Sequence, residues 1–208
     1  MRRRTGWLVS AVAAFAVAGG AVTYAVADGD GGPADLKVPA AESADAGFAR
    51  DMAVHHQQAV EMSYIVRDRT QDVEVRRLAY DIAQTQANQR GMLLGWLDLW
   101  ELPKVSAKPP MDWMGMGDAP AGEDGALMPG MATNAQLAEL AKLSGRKAEI
   151  RYLQLMIAHH KGGVHMAQGC VSRCEVGAER RLARGMVAAQ QSEIDLMTGM
   201  LKDRGATP

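Results

Sequence analysis

The sequence predicts an all-α protein, a four-helix bundle made from two copies of one helical hairpin with a long Met/Pro/Gly-rich connecting loop. Three observations predict it. Residues 48–63 read FARDMAVHHQQAVEMS and residues 152–167 read YLQLMIAHHKGGVHMA, so Met52, His55, His56, Val60 and Met62 recur 104 positions later as Met156, His159, His160, Val164 and Met166. The same register continues without a gap through Arg69/Arg173, the Arg-Arg-Leu-Ala of residues 76–79 and 180–183, Gln86/Gln190, Gly95/Gly199 and Leu97/Leu201, giving 13 identities in 50 aligned positions. Finally, the apolar residues of both copies recur at helical spacing, and no stretch alternates as a strand does. Each copy has one apolar face, which is buried only when the two copies pack on each other.

The elements follow in chain order. Arg2, Arg3 and Arg4 precede an apolar run over residues 7–27 that ends Ala25-Val26-Ala27, the layout of an export signal with a small-residue cleavage site. At 21 residues the run also reaches the length of a membrane anchor if uncleaved. Both readings place the remainder outside the cytoplasmic membrane: secreted, periplasmic or cell-surface. Residues 28–46, rich in Gly, Ala, Pro and Asp, form a linker. The duplicated domain then runs over residues 47–203, as a hairpin (47–101), a loop (102–134) and a second hairpin (135–203). Helices are expected near residues 45–68, 72–101, 135–174 and 177–203, the third breaking near Gly145. Without residues 1–27 the chain has 20 basic and 24 acidic residues, a net charge near −4 that argues against nucleic acid as a partner.

Chemistry concentrates on the two repeated helices. At 100° per residue, Met52, His55, His56 and Met62 share one face, as do Met156, His159, His160 and Met166. Di-iron bundles place a carboxylate three residues before a histidine; here a methionine stands there instead. Exchanging carboxylate for thioether moves the preference from hard ions to soft ones, Cu(I) first, with zinc or no metal as alternatives. Methionine on an inward stripe is ordinary core filling, but four inward imidazoles each need a partner. The loop adds Met111, Met114, Met116, Met128 and Met131. Asp51, Gln86, Gln190 and Glu193 are placed to orient imidazole N–H groups, and His165 faces solvent. Gly162-Gly163, costly in a helix, points to close helix approach or to room for an ion. Cys170 and Cys174 read as a disulfide in an oxidising compartment, although an i to i+4 bridge strains a helix; the alternative is a thiolate pair extending the metal stripe.

The two Met-x-x-His-His motifs each with a following Met, the Met-Pro-Gly-Met of residues 128–131 and the Gln-x-x-Glu-Ile of residues 190–194 resemble the bacterial family known as domain of unknown function 305. The resemblance implies a secreted or membrane-tethered, ferritin-like bundle, some of whose members bind copper or silver and take part in copper tolerance. The first copy departs from the pattern, with Gln89-Arg90 where the second has Glu193-Ile194. The expected function is extracytoplasmic copper or silver binding for sequestration, delivery or tolerance, with an envelope copper protein as partner. No catalytic constellation is recognised, so the protein is expected not to be an enzyme. The competing readings are a copper-dependent oxidoreductase and a metal-free envelope interaction module.

Overall fold

Local signals start the helices where the sequence places them. Ser43 accepts from the Ala46 amide to open α1 (Ala44–Arg67), and Asp72 accepts from Glu74 and Val75 to open α2 (Val73–Leu99). Thr133 and Gln136 form a reciprocal capping box at α3 (Asn134–Lys142). Gly145, at φ +54°, begins α4 (Gly145–Arg173), and its amide is held by the Arg69 carbonyl. The extended residues 174–176 then turn the chain into α5 (Gly177–Asp203). This computed structural model describes residues 38–118 and 122–208. The expected export signal or anchor and most of the linker lie outside them. Among the described residues there is no strand, and no helix is long and apolar enough to cross a membrane.

α1 pairs with α2 and α4 with α5, and the hairpins meet chiefly through α1 and α4. Corresponding acids tie each hairpin to the turn of the other. Asp45, at the start of α1, accepts from the amides of Glu175 and Val176, while Glu149, its counterpart 104 residues on, accepts from the Thr70 hydroxyl and from Arg204. These pairings give the bundle an approximate two-fold relation.

The apolar interior falls into two clusters. Met62, Val66, Ile82, Tyr152, Met156 and Met197 belong to one. Phe48, Met52, Leu97, Met166, Cys170 and Met186 belong to the other. Met52 and Met166 thus share one cluster and Met62 and Met156 the second. All four are fully buried, and burial of each contributes about 1.5–3 kcal/mol whether or not its sulfur has a further use. His55 and His56 lie between Met52 and Met62 in sequence, and so between residues of the two clusters.

The methionines of the loop over residues 102–134 are packed against the bundle. The loop contains a 3-10 turn (Asp112–Met114), and Met111 and Met128 are buried against the second cluster, with Met114, Met116 and Met131 half-buried around them. Thioethers of this number cannot be left in water without losing their burial energy, so the loop folds onto the bundle.

Candidate metal centre

The four motif histidines are fully buried. His55 and His159 come from facing helices and overlap, ring centroids 3.8 Å apart at 33°. Each of the four rings has an acceptor at Nε2. His55 donates to the Pro129 carbonyl (3.3 Å), His159 to the His55 carbonyl (3.0 Å), His56 to the Gln89 side-chain carbonyl (2.9 Å) and His160 to the Glu193 carboxylate (2.7 Å). An acceptor at Nε2 places the proton there and leaves a lone pair on Nδ1. All four Nδ1 atoms are buried and have no hydrogen-bond partner. Burial is also the main reason that the His55 pKa falls to about 4 and the His56 pKa to about 3, and it pushes His159 well below the usual range. Neutral imidazoles with one nitrogen anchored and the other bare match the state in which histidine ligates a metal.

The residues at hand fit a soft ion better than a hard one. No carboxylate lies three residues before any of the four histidines, and the residues there on the repeated faces are Met52 and Met156. No three of these histidines gather their ring nitrogens closely enough for an all-histidine site among the described residues.

Orientation of the rings differs in part from the expectation. Glu193 does bind an imidazole, that of His160. Asp51 does not: its carboxylate accepts from the Met111 amide and the Trp113 indole and so anchors the loop, with its own pKa raised by burial. Gln86 and Gln190 are buried as expected but bind no histidine; both polar atoms of Gln86 and the Oε1 of Gln190 are unpartnered. The ring of His56 is held by Gln89 instead. The signal for it was present in the repeat, since Gln89 is the counterpart of Glu193 at the offset of 104. His165 is exposed, as expected. Cys170 and Cys174 form a disulfide, and Cys174 already has extended backbone just past the end of α4, so the bridge does not distort the helix.

The segment over residues 128–132 is a strap across the two histidine helices. On α1, the Gln58 amide bonds both the N–H and the carbonyl of Ala132. On α4, the counterpart of Gln58 is Gly162, where an added Cβ would lie 1.8 Å from the Pro129 oxygen. One copy clamps the strap with a side chain and the other admits it by having none. Where close helix approach was expected at Gly162, the loop approaches instead, while Gly163 makes room for the Gln190 side chain of α5. Beside the strap, Met111, Met116, Met128 and Pro129 line a cleft of about 370 Å³. Gly162→Ala should destabilise the protein by about 1–3 kcal/mol in urea titration, because the strap must lift. Gly91→Ala, in open space on α2, should be neutral or slightly stabilising. Equal effects of the two would show that the strap has no fixed seat.

Fold and interior together define an all-α bundle of two duplicated hairpins with buried histidines and methionines at its centre. The chain belongs to the family described as domain of unknown function (DUF305), whose profile matches residues 45–201. A crystal structure of a family member from Streptomyces coelicolor, assigned as secreted, is 70% identical over 81% of this chain and 98% of that one, with a TM-score of 0.76. A fragment from Deinococcus radiodurans is 32% identical over 77% of this chain and 96% of that one, with a TM-score of 0.65. CopM in its Cu(I)-bound form has the same fold at 20% identity, a TM-score of 0.58, and coverage of 76% and 96%. None of the curated proteins matches the sequence.

Proposed function

We propose that this protein is an exported soft-metal-binding protein that holds copper, with Cu(I) its preferred ion and Ag(I) a mimic, and that it sequesters or delivers the ion rather than turning over a substrate. The observation that carries the reading is the set of four buried Nδ1 atoms without a hydrogen-bond partner, whose opposite nitrogens are already anchored. The ligands are drawn from those nitrogens and from the thioethers of Met52, Met62, Met156 and Met166. Glu193 and Gln89 orient two of the rings and raise their basicity. The cleft lined by Met111, Met116 and Met128 offers thioethers beside the Pro129 carbonyl that holds His55, and it serves as the transfer surface toward an envelope copper protein. Copper- and silver-bound structures of CopM, of the same fold, are consistent with this chemistry. Export follows from the sequence of residues 1–27 and is in keeping with the secreted assignment of the Streptomyces relative.

Competition against chromogenic chelators tests the ion. Oxidised protein should take Cu(I) at least ~100-fold more tightly than Zn(II), because thioethers add little to a zinc site. Zinc affinity equal to or above that for Cu(I) would reduce the methionines to packing. A steady turnover of Cu(I) or of a phenol by the loaded protein would move it to the oxidoreductases.

A further inference from the structure

A second set of donors lies outside the histidine region, at the turn between α4 and α5. The Sγ atoms of Cys170 and Cys174 and a carboxylate oxygen of Glu179 all lie within 4.8 Å of one another, and all three residues are buried. Glu179 is fully buried, and its carboxyl lies against that of Asp45, with which it shares a proton. Burying a carboxyl carries a desolvation cost that an apolar side chain in the same place would not.

The internal repeat supplies a control. At the offset of 104, Cys170, Cys174 and Glu179 correspond to Val66, Thr70 and Val75. The first hairpin builds the same corner with valines at the first and third positions, both fully buried in the core. Packing alone therefore does not require a carboxyl here. Nor does the turn, since Asp45 already satisfies the amides of Glu175 and Val176. Burial, then the proximity of Asp45, raises the Glu179 pKa to about 9. The carboxyl is thus held as a neutral acid beside the disulfide, uncharged until something cationic displaces its proton.

We propose that reduction of the Cys170–Cys174 disulfide opens a second metal site, in which the two thiolates and the Glu179 carboxylate bind a thiophilic divalent ion of the zinc class. A dithiol reductant supplies the two electrons and two protons that convert the disulfide to two thiols, and itself becomes a disulfide. Binding of the ion then releases the two thiol protons and the Glu179 proton, leaving three anionic donors and one open position, a set that suits tetrahedral zinc. A thiolate pair alone would serve two-coordinate Cu(I); the added carboxylate is a donor that zinc uses and Cu(I) does not. With the disulfide closed the sulfurs are not available, so the site is gated by redox state.

The test compares oxidised protein with protein reduced by a phosphine that does not itself bind the ion. Reduced protein should bind one more equivalent of Zn(II) than oxidised protein, and Co(II) in its place should give a thiolate-to-cobalt charge-transfer band. Both should persist in the His55→Gln/His159→Gln variant, which separates this site from the copper reading. Glu179→Gln should weaken the added equivalent by ~10-fold or more, and Cys170→Ser/Cys174→Ser should abolish it. If Glu179→Gln does not fold when reduced, X-ray absorption of the zinc-loaded reduced wild type decides: two sulfur scatterers at about 2.3 Å with lighter donors are expected. No added equivalent on reduction, zinc ligated by nitrogen and oxygen alone, or a folded Glu179→Gln variant of undiminished affinity would each overturn the assignment.

Discussion

Replacing His55 and His159 together should lower Cu(I) affinity by ~100-fold or more, whereas Met111→Leu/Met114→Leu/Met116→Leu should lower it less than ~10-fold. The imidazoles are presented by α1 and α4, and their Nε2 atoms are fixed by the Pro129 and His55 carbonyls, so little conformational freedom is lost when Nδ1 takes an ion. Of these loop thioethers, Met111 and Met116 line an open cleft and Met114 lies against Gly169 on α4. Alanine at both histidines would leave a void and two unmatched carbonyls in the core. Glutamine is the better replacement: its terminal amide can still donate where Nε2 did, while the Nδ1 ligand is gone. The Leu triple variant keeps side-chain volume and deletes only sulfur, and its expected effect is slower exchange with a chelator rather than lost affinity. Copper retained by the double-Gln variant and lost by the triple-Leu variant would put the site in the loop and make the duplicated histidines structural.

The metal-free, oxidised protein should be most stable near pH 6.5 and lose stability on both sides, for two opposite reasons. His55 and His56 have folded pKa values near 4 and 3 against an ordinary 6.5, and His159 is displaced the same way. As pH falls below 6.5 the unfolded chain binds protons that the folded one refuses, so stability drops through the window from 6.5 to about 4. The displacement at His55 alone corresponds to ~3 kcal/mol at its acid end. Glu179 acts the other way. Its folded pKa of about 9 lies above the ordinary 4.5, so the folded state keeps a proton that the unfolded state gives up. Its contribution therefore falls as pH rises from 4.5 to about 9, which partly offsets the histidines on the acid side and leaves a loss of up to ~1.4 kcal/mol per pH unit above 6.5. Chemical denaturation between pH 4.5 and 8.5 measures both arms. Glu179→Gln should flatten the alkaline arm and, by removing that offset, steepen the acid one between pH 4.5 and 6.5. A wild-type profile flat from 6.5 down to 4.5 would mean that the imidazoles are protonated within the fold.

Much of this architecture was legible because a repeat states it twice. Met52, His55, His56 and Met62 keep their helical spacing in the second copy, so a stripe and a hairpin could be read from one dimension, and the helix bounds follow from Ser43, Asp72 and Thr133 acting through short-range capping. The disulfide was readable as an expectation, but its compatibility with α4 was not, because that rests on Cys174 leaving helical geometry. Asp51 was misplaced for a related reason. Its spacing to His55 is right for one helix turn, yet its carboxylate is taken by Met111 and Trp113, about sixty residues further on.

The sequence by itself determined the helices, their duplication, the inward stripe of histidine and methionine, and the methionine that stands three residues before His55 and His159, since all of these depend on periodicity and residue type within a few turns. Only the tertiary structure decided which acceptor each imidazole meets, and so which ring nitrogen is left bare. Gln89 and Glu193 reach their rings from the neighbouring helix, and Pro129 reaches His55 only because Gly162 leaves the strap space to descend. The same holds at the far turn, where three residues spread over ten positions become one buried cluster. A proton's place on a buried ring, or a carboxyl's charge, is set by the atoms packed around it, and those are brought together by the hairpins folding onto each other.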